Sequence, residues 1–484
     1  MLKTKVAFKD ALYNASLFRI VFLLNLFLGT FIFLDVAAFI FLAIMFPWAF
    51  FIFKSKICDR SFKKVNNFKL IYLFLIFTLL TSVIHIKLSF PIYFTFDLIM
   101  IYFYAICLFI FYGFLTLNVD KPSLIKKEII SILKFVVFFT TITTFISLII
   151  IPFKDQIIIS GASNNLGNFD YIIGIYKKPN VNRLAGFFDN PNILAFCSVV
   201  SLIFTHILFS INEFFKKQAK FLKILAILFC VLVNSFGLIF SDSIASFILL
   251  IAYFTVYILL LLIKKHNNDN LKIKTIFFSM LVLLIVTFIT VHIILQGGLQ
   301  SNISTLLNNF FDNFDKNINF KFGRLDYDLK YGSGRKVLMS QALTIFFHHP
   351  ILGIGISNIE SFGKIYFESG IAFPNYILGI SFPNFHNGYL TILTCYGLVG
   401  FTVFLLFIFK SIKTFISTLF NSKKSNSEFS VMLPCFFAFL CAYLIFALFE
   451  KTFLSEINFM CTIFWAILGY SAYICKNLKS ESKI

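Results

Sequence analysis

The chain has 484 residues, of which 59% are hydrophobic, 19% aromatic and 13% charged. Soluble domains carry about 25% charged residues, so this composition excludes an ordinary soluble protein. The formal net charge of +20 does not indicate nucleic-acid binding, because lysines in short cytoplasmic loops set the orientation of membrane helices. The sequence therefore predicts an all-α polytopic membrane protein.

Apolar runs of the length needed to cross a bilayer predict about twelve transmembrane helices. They divide the chain into five parts, which are helices one to five in 1–151, a first long outer loop at 152–192, helices six to nine in 193–295, a large outer loop at 296–386, and helices ten to twelve with a tail in 387–484. An outer loop as long as the second is too long for a simple connection, so we expect it to have structure and function.

Lysine-rich segments predict the orientation of these helices. "KSKICDRSFKKVNNFK" follows the second predicted helix and "KKHNNDNLKIK" follows the eighth. Positively charged loops stay in the cytoplasm, so both termini are expected to be cytoplasmic, and Arg19 and Arg60 are interpreted as orientation signals. The basic start "MLKTKVAFKDALYNASLFRI" leads into a full-length apolar run and is expected to be a retained helix. None of the nine cysteines falls in a predicted outer loop, so no disulfide is expected.

The first outer loop ends in "NRLAGFFDNPNILAF". Asn190 and Pro191 suit the cap and first turn of the following helix, which explains most of this motif structurally. Arg183 lies just before that helix, in a chain that otherwise prefers lysine. An arginine there fits bidentate recognition of phosphate oxygens, and insertion among lipid headgroups is the alternative.

The second outer loop contains a predicted helix in "SGRKVLMSQALTIFFHHP". Leu338, Ala342, Ile345 and Phe346 recur at helical spacing, which predicts an amphipathic helix lying on the outer leaflet. Arg335 opens this helix and is a second candidate for phosphate recognition.

Other parts of the same loop carry weaker signals. Gly353 and Gly355 would permit a tight turn after the helix. Asp326 and Asp328 could bind a metal, but two carboxylates predict such a site only weakly.

A histidine stands where the large outer loop meets the tenth predicted helix, in "NFHNGYLTILTCYGLVG". An imidazole there can take a proton from a hydroxyl near neutral pH, and Asn387 beside His386 can fix the tautomer or hold a polar ligand. The remaining histidines lie in or beside apolar runs, in an inner loop, or, as His348 and His349, at a predicted helix end where a cation is favoured.

Three stretches, "HNGYLTILTCYGLVG", "GRKVLMSQALTIFFHHPILGIGISNIESF" and "RLAGFFDNPNILA", together resemble the O-antigen polymerase and O-antigen ligase superfamily of bacterial envelope glycan enzymes. The resemblance covers roughly 183–405. It implies a GT-C-like helical fold in the bacterial inner membrane, with a site at the outer face and 296–386 as the catalytic loop. It also implies a donor glycan on undecaprenyl diphosphate, and as acceptor either lipid A core, for a ligase, or another lipid-linked repeat unit, for a polymerase.

Carried over to this chain, the resemblance implies that Arg335 and Arg183 hold the diphosphate and that His386 activates the acceptor hydroxyl. Asn387 and Asn192 are further candidate substrate-binding residues. Many relatives have a Ser-Arg pair where this chain has "FSDSIASF", with Asp242 and no arginine, so either Arg183 or Arg324 would supply the second cation.

The implied chemistry needs no cofactor or metal, and direct attack would invert the anomeric carbon. Besides donor, acceptor and membrane lipids, a chain-length regulator is a candidate partner.

A transporter or flippase of lipid-linked oligosaccharide is the alternative class, since about twelve spans with both ends inside suit a carrier. The longest loop, however, is outside, and the spans hold few charged residues, namely Asp97, Lys134 and Asp242. Within the enzyme class a polymerase is favoured over a ligase, because two arginine-bearing outer loops suit a protein that holds two lipid-linked chains.

Overall fold

The computed structural model describes residues 12–31, 34–85, 91–117, 122–150, 174–178, 181–213, 220–265, 334–367, 370–371, 375–377, 380–382, 385–421 and 428–481. Within these ranges the chain is almost entirely helical. The helices are α1 (Ala15–Leu28), α2 (Asp35–Cys58), α3 (Phe68–Ile84), α4 (Pro91–Ala105), α5 (Pro122–Ile150), α6 (Pro191–Ser210), α7 (Lys220–Ser241), α8 (Ile244–Lys265), α9 (Gly334–His348), α10 (Ile359–Tyr366), α11 (Gly388–Asn421), α12 (Glu428–Phe446) and α13 (Phe459–Glu481). After α4 the chain continues as a π-helical segment, Ile106–Gly113, and a 3-10 turn, Phe114–Leu117.

Nine of the helices in the described part of the chain are long and apolar enough to cross a membrane, and α1 and α3 are shorter apolar helices. The prediction of a polytopic helical membrane protein is therefore confirmed. The span expected at 275–295 lies outside the described residues, so the total of about twelve stays a prediction.

The apolar runs predict helices at 129–151 and 387–409, and one boundary of each differs clearly from the observed helix. α5 begins at Pro122 rather than at 129, because proline suits the first turn of a helix and the lysines that follow it are good helix formers. α11 continues to Asn421 rather than ending near 409. Its last turns carry Lys410 and Lys413, so hydropathy alone ended the prediction too early.

The chain divides into two compact units. The first contains Met1–Gly29, Val36–Glu128 and Ser333–Ile484, and the second contains Thr30–Asp35 and Ile129–Gly332. α13 lies in the core of the first unit, where Trp465, Phe464 and Tyr473 are fully or almost fully buried. A helix that is apolar all round is expected in such a central position.

The most buried helix of the second unit is α6, which packs against α7, α8 and a short hairpin. The hairpin consists of β1 (Gly174–Lys178) and β2 (Val181–Gly186), paired antiparallel with Tyr176 opposite Arg183. A second hairpin, β3 (Asn375–Ile377) with β4 (Ile380–Phe382), belongs to the first unit. Both lie in the predicted outer loops, where strands of three to six residues are too short to give a clear alternating pattern.

A fully buried ion pair joins α1 and α5 within the first unit. Arg19 donates from Nε to Glu128 Oε1 at 2.7 Å and from Nη2 to Oε2 at 2.8 Å. Tyr470 on α13 donates to the same carboxylate at 2.6 Å, and Ser16 donates to it at 2.5 Å. Arg19 was interpreted from the sequence as an orientation signal, and the structure gives it a structural role as well, because its guanidinium is 0% exposed and paired inside the protein.

α11 is broken at Gly397, and the loop after α9 fills the break. Gly397 has a φ of 61°, and the N–H groups of Leu398 and Val399 donate to the carbonyls of Pro350 and Ile351 at 2.7 and 3.2 Å. A Cβ on Gly397 would lie 2.2 Å from the Ile351 carbonyl oxygen, so only glycine fits. The tight turn expected at Gly353 and Gly355 is confirmed by their φ values of 72° and 80°.

Candidate active site

The amphipathic helix α9 places Arg335 in its first turn. Leu338, Ala342 and Ile345 are at most 2% exposed, and this face packs against α11. Thr394 on α11 also donates to the Ala342 carbonyl at 3.2 Å. Three of the four residues predicted to form the apolar face are therefore buried against protein. This packing holds α9 in place and so limits the positions that the Arg335 side chain can occupy.

The residues His386 and Asn387 form the entry to α11. Asn387 Oδ1 accepts from the N–H groups of Tyr389 and Leu390 at 3.0 Å each, so it caps the helix. Its Nδ2 donates to the Leu448 carbonyl at 3.0 Å. His386 precedes the cap with a φ of 46°, a left-handed conformation that few non-glycine residues adopt and that the cap and its neighbours hold in place.

The connection between α12 and α13, residues 447–458, packs directly against this entry. Gly388 N–H donates to the Ala447 carbonyl at 2.8 Å. A Cβ on Gly388 would lie 2.2 Å from Thr452 Oγ1, so the close approach requires glycine. Trp465 holds the other side of the connection by donating to the Phe453 carbonyl at 3.0 Å. These contacts bring Glu450 next to His386.

Arg335 and His386 meet on the carboxylate of Glu450. Arg335 Nη2 lies 2.9 Å from Oε1 of Glu450, and His386 Nδ1 lies 3.4 Å from Oε2. The carboxylate side chain is 4% exposed, whereas the side chains of Arg335 and His386 are each 29% exposed. The buried carboxylate of Glu450 is thus paired with a guanidinium and an imidazole that are both accessible to solvent or to a ligand.

This arrangement can support two kinds of chemistry. The guanidinium of Arg335 can bind phosphate oxygens, for which its planar set of donors is suited. An imidazole whose Nδ1 faces a carboxylate presents its Nε2 for proton transfer. Both groups lie in contact with the same side chain, so they can act on one bound molecule.

Lys451, next in sequence to Glu450, adds a second ion pair to the same connection. Its Nζ lies 2.5 Å from Glu456 Oε1, and Asn458 donates to Oε2 of the same carboxylate at 2.9 Å. Burial by itself lowers the pKa of Lys451, but the carboxylates of Glu456 and Glu450 outweigh it, so that the pKa lies above its ordinary value. Lys451 is therefore a permanent cation near the site.

A second group of histidines lies apart from this carboxylate, at the end of α9. Burial, and then the neighbouring His85 and His348, lower the pKa of His349, whose Nε2 lies 2.9 Å from the Tyr366 hydroxyl. The helix end predicted at His348 and His349 is observed, and burial favours the neutral ring of His349.

The other predicted site residues belong to elements of the second unit or lie outside the described residues. Arg183 lies in β2 of the second unit, and Asn192 lies in the first turn of α6, where its N–H donates to the Asn190 cap at 3.0 Å. The structural interpretation of Asn190 and Pro191 is confirmed. Arg324, like Asp326 and Asp328, lies outside the described residues.

Glu450 was missed at the sequence level. It follows α12 in "FALFEKTFLSEINF", as an acidic residue in a short connection between two apolar helices. Acidic residues are scarce in this chain, with 22 Asp and Glu against 42 Lys and Arg. A glutamate in a short connection at the predicted outer surface is therefore unusual, and this was the signal that could have identified Glu450. Its partners are 115 and 64 positions away in sequence, and no local pattern links them.

Comparison with known families gives a match to the part of the chain that contains Arg335 and His386 but not Glu450. Residues 226–405 match the family model described as O-antigen ligase. The matched range includes Arg335, His386 and Asn387, whereas Glu450 and Arg183 lie beyond its two ends. A search among curated proteins gave no match.

The family match agrees with the motifs around Arg335 and His386 and with the set of apolar helices. Residues 226–405 of this multi-pass membrane protein are therefore similar to the O-antigen ligase family, which supports the resemblance to the O-antigen polymerase and O-antigen ligase superfamily.

Proposed function

We propose that this protein transfers an oligosaccharide from undecaprenyl diphosphate to a sugar hydroxyl at the outer face of the bacterial inner membrane. The observation that supports this most is the meeting of Arg335 and His386 on Glu450. A group suited to phosphate and a group suited to a hydroxyl proton are what such a transfer needs. Both termini would be cytoplasmic, as the lysine-rich loops predict.

Arg335 would stabilise the leaving diphosphate. Negative charge grows on the phosphate oxygen as the bond to the anomeric carbon breaks, and a preorganised guanidinium can neutralise it. Arg335 lies in the first turn of α9, where the helix dipole favours an anion over a cation. A bound phosphate would therefore improve the electrostatics of this helix end.

His386 would act as the general base. Its Nε2 takes the proton of the acceptor hydroxyl, the acceptor oxygen forms a bond to the anomeric carbon, and the bond from that carbon to the diphosphate breaks. Attack from the opposite face inverts the anomeric centre. A positioned base contributes about 10²–10⁴-fold to such a step.

The remaining predicted residues have supporting parts in this proposal. Arg183 or Arg324 would supply a second positive charge for the diphosphate. Asn387 would contact substrate through its side-chain amide. The same amide caps α11 and donates to the 447–458 connection. Loss of donor binding without loss of folding in Arg183→Ala or Arg324→Ala would identify which arginine is used.

We propose a polymerase as the specific activity, because two long arginine-bearing outer loops suit an enzyme that holds two lipid-linked chains. The description of the matching family as O-antigen ligase favours ligase as the second candidate. Deletion of the gene, followed by gel analysis of surface glycans, distinguishes them. If the deletion strain still attaches one repeat unit to its lipid A core, the deleted gene encodes a polymerase. If no repeat unit is attached to the core, the gene encodes a ligase.

We also propose that the transfer needs no metal ion, since arginines can replace a metal in neutralising a diphosphate. Transfer by the purified protein should then be unchanged by a chelator. Full inhibition that added Mg²⁺ reverses would contradict this and would direct attention to Asp326 and Asp328.

A further inference from the structure

We propose that Glu450 exchanges partners during the reaction, neutralising Arg335 before the donor binds and serving His386 once the donor diphosphate has taken Arg335. The inference rests on the proposed function and adds a regulatory step to the same site. It makes Glu450 a positioning residue that acts through His386. The base is then strengthened only when a donor is present.

The geometry of the site favours Arg335 as the first partner. Its Nη2–Oε1 distance of 2.9 Å is a full hydrogen bond, whereas the 3.4 Å between His386 Nδ1 and Oε2 is longer than the usual 2.7–3.2 Å for N–H···O. The carboxylate therefore holds the arginine firmly and the imidazole weakly. The proposed phosphate-binding group is thus already paired with an internal anion.

Burial explains why the carboxylate would turn to His386. A buried carboxylate is costly unless it is paired or hydrogen-bonded, and that of Glu450 is 4% exposed. A diphosphate that binds Arg335 removes much of that pairing. Lys451, whose pKa the Glu450 charge also raises, is paired with Glu456. His386 is already in contact with the other oxygen of Glu450, and a shorter contact to Nδ1–H fixes the tautomer in which Nε2 accepts a proton.

The backbone around the site allows this exchange to occur by small side-chain rotations. The 447–458 connection is tied to the entry of α11 by the bonds from Gly388 N–H to Ala447 and from Asn387 Nδ2 to Leu448. The backbones at His386 and Glu450 therefore keep a fixed spacing while the two side chains rotate. Lys451, the nearest cation in sequence, is engaged by Glu456.

The exchange would protect the site from wasteful proton transfer. Without donor, the imidazole is held only weakly in the orientation and tautomer that proton transfer to Nε2 needs. Glu450 and the donor diphosphate compete for the guanidinium of Arg335, so the Glu450–Arg335 contact opposes donor binding. The removal of the carboxylate should therefore tighten donor binding and slow transfer.

The test uses full-length protein in nanodiscs, with inorganic pyrophosphate as the probe of the phosphate site and with transfer rates at saturating donor. We expect Glu450→Gln to bind pyrophosphate about tenfold more tightly, the size expected when a competing charged hydrogen bond is lost. We expect its saturated transfer rate to fall about tenfold or more. The gain in binding should vanish when Arg335→Ala is added.

The controls separate the exchange from a structural role and from failure of the proposed function. Glu360→Gln, which removes the carboxylate paired with Lys364 on α10, should leave both measurements unchanged. If Glu450 only supports the fold, Glu450→Gln will weaken binding and transfer together, and the exchange is overturned.

Two further results are decisive. Equal pyrophosphate binding by the original protein and Arg335→Ala would remove the phosphate site itself, and with it the proposed function. If Glu450→Gln does not fold, Glu450→Asp tests the same point, because its shorter side chain keeps the charge but cannot span both partners. Unchanged binding and transfer in Glu450→Asp would refute the exchange.

Discussion

The imidazole of His386 has its two nitrogens in different surroundings. Nδ1 faces Glu450 Oε2 at 3.4 Å, so Nε2 is the nitrogen that can take a proton from a ligand. The residue also has a left-handed backbone, with a φ of 46°. Such strain is found where neighbouring structure holds a side chain in a particular direction, and here the Asn387 cap provides that constraint.

Replacement of His386 by alanine should abolish transfer while the protein still accumulates in the membrane. The loss should be about 10²–10⁴-fold, the contribution of a positioned general base. Glycan gels and immunoblots of membranes measure the two effects. His348→Ala is the matched control, because that ring is exposed and contacts its own helix at the Thr344 carbonyl. Near-normal transfer by His386→Ala would remove it as the base.

Replacement of Arg335 by lysine should lose most of the activity although the charge is kept. A lysine is a point charge, and it cannot reproduce a planar set of donors on phosphate oxygens. We expect at least a tenfold lower rate at subsaturating donor, since a charged hydrogen bond contributes about 1.5–3 kcal/mol. Lys336→Ala, at the exposed neighbouring position, should be close to normal. An unchanged rate for Arg335→Lys would favour headgroup anchoring.

At the scale of elements, the site depends on three segments that are distant in sequence but share backbone contacts. The turn after α9 fills the break at Gly397 in α11, and the 447–458 connection holds the entry of α11 at Gly388. Arg335 lies at the start of α9, His386 at the entry of α11 and Glu450 in the 447–458 connection. Each is anchored by backbone hydrogen bonds, which keep their side chains at fixed spacing.

The buried pair of Arg19 and Glu128 should contribute strongly to the stability of the first unit. Either Arg19→Met or Glu128→Gln leaves a buried charge without its partner, which costs about 3–5 kcal/mol. Thermal unfolding in detergent measures the loss. Replacement of both, as Arg19→Met with Glu128→Leu, should recover much of it.

Another ion pair involving α5 provides the control for that experiment. Lys126 pairs with Glu428 at 2.7 Å, but the two side chains are 29% and 36% exposed. Exposed pairs contribute about 0–1 kcal/mol, so Lys126→Met should change the melting temperature little. Equal losses for Lys126→Met and Arg19→Met would contradict the special role of the buried pair.

At the scale of the whole molecule, the chain offers its own reporter of orientation. Cys58 at the end of α2 is exposed, whereas the other eight cysteines are buried or intermediate. A membrane-impermeant maleimide should label it in inside-out vesicles and not in intact cells, because the lysine-rich segment around it is predicted to be cytoplasmic. Cys58→Ser should remove the signal. Labelling in intact cells would reverse the predicted topology.

Most of the helices could be predicted from the sequence because membrane spanning is a local property. Each span needs about 20 apolar residues, and a run of that kind can be recognised without knowing its neighbours. The same holds for the Asn190 cap and for the apolar face of α9. The hairpins β1–β2 and β3–β4 could not be predicted, because segments this short depend on tertiary contacts.

Amino-acid sequence alone determined the membrane class, the positions of most helices, and the choice of Arg335 and His386 as chemical groups of interest. Only the tertiary structure decided that these two side chains share Glu450, that the loop after α9 completes the broken helix α11, and that Arg19 is a buried partner of Glu128. Helix formation and membrane insertion depend on nearby residues, whereas the pairing of charges depends on which distant segments pack together.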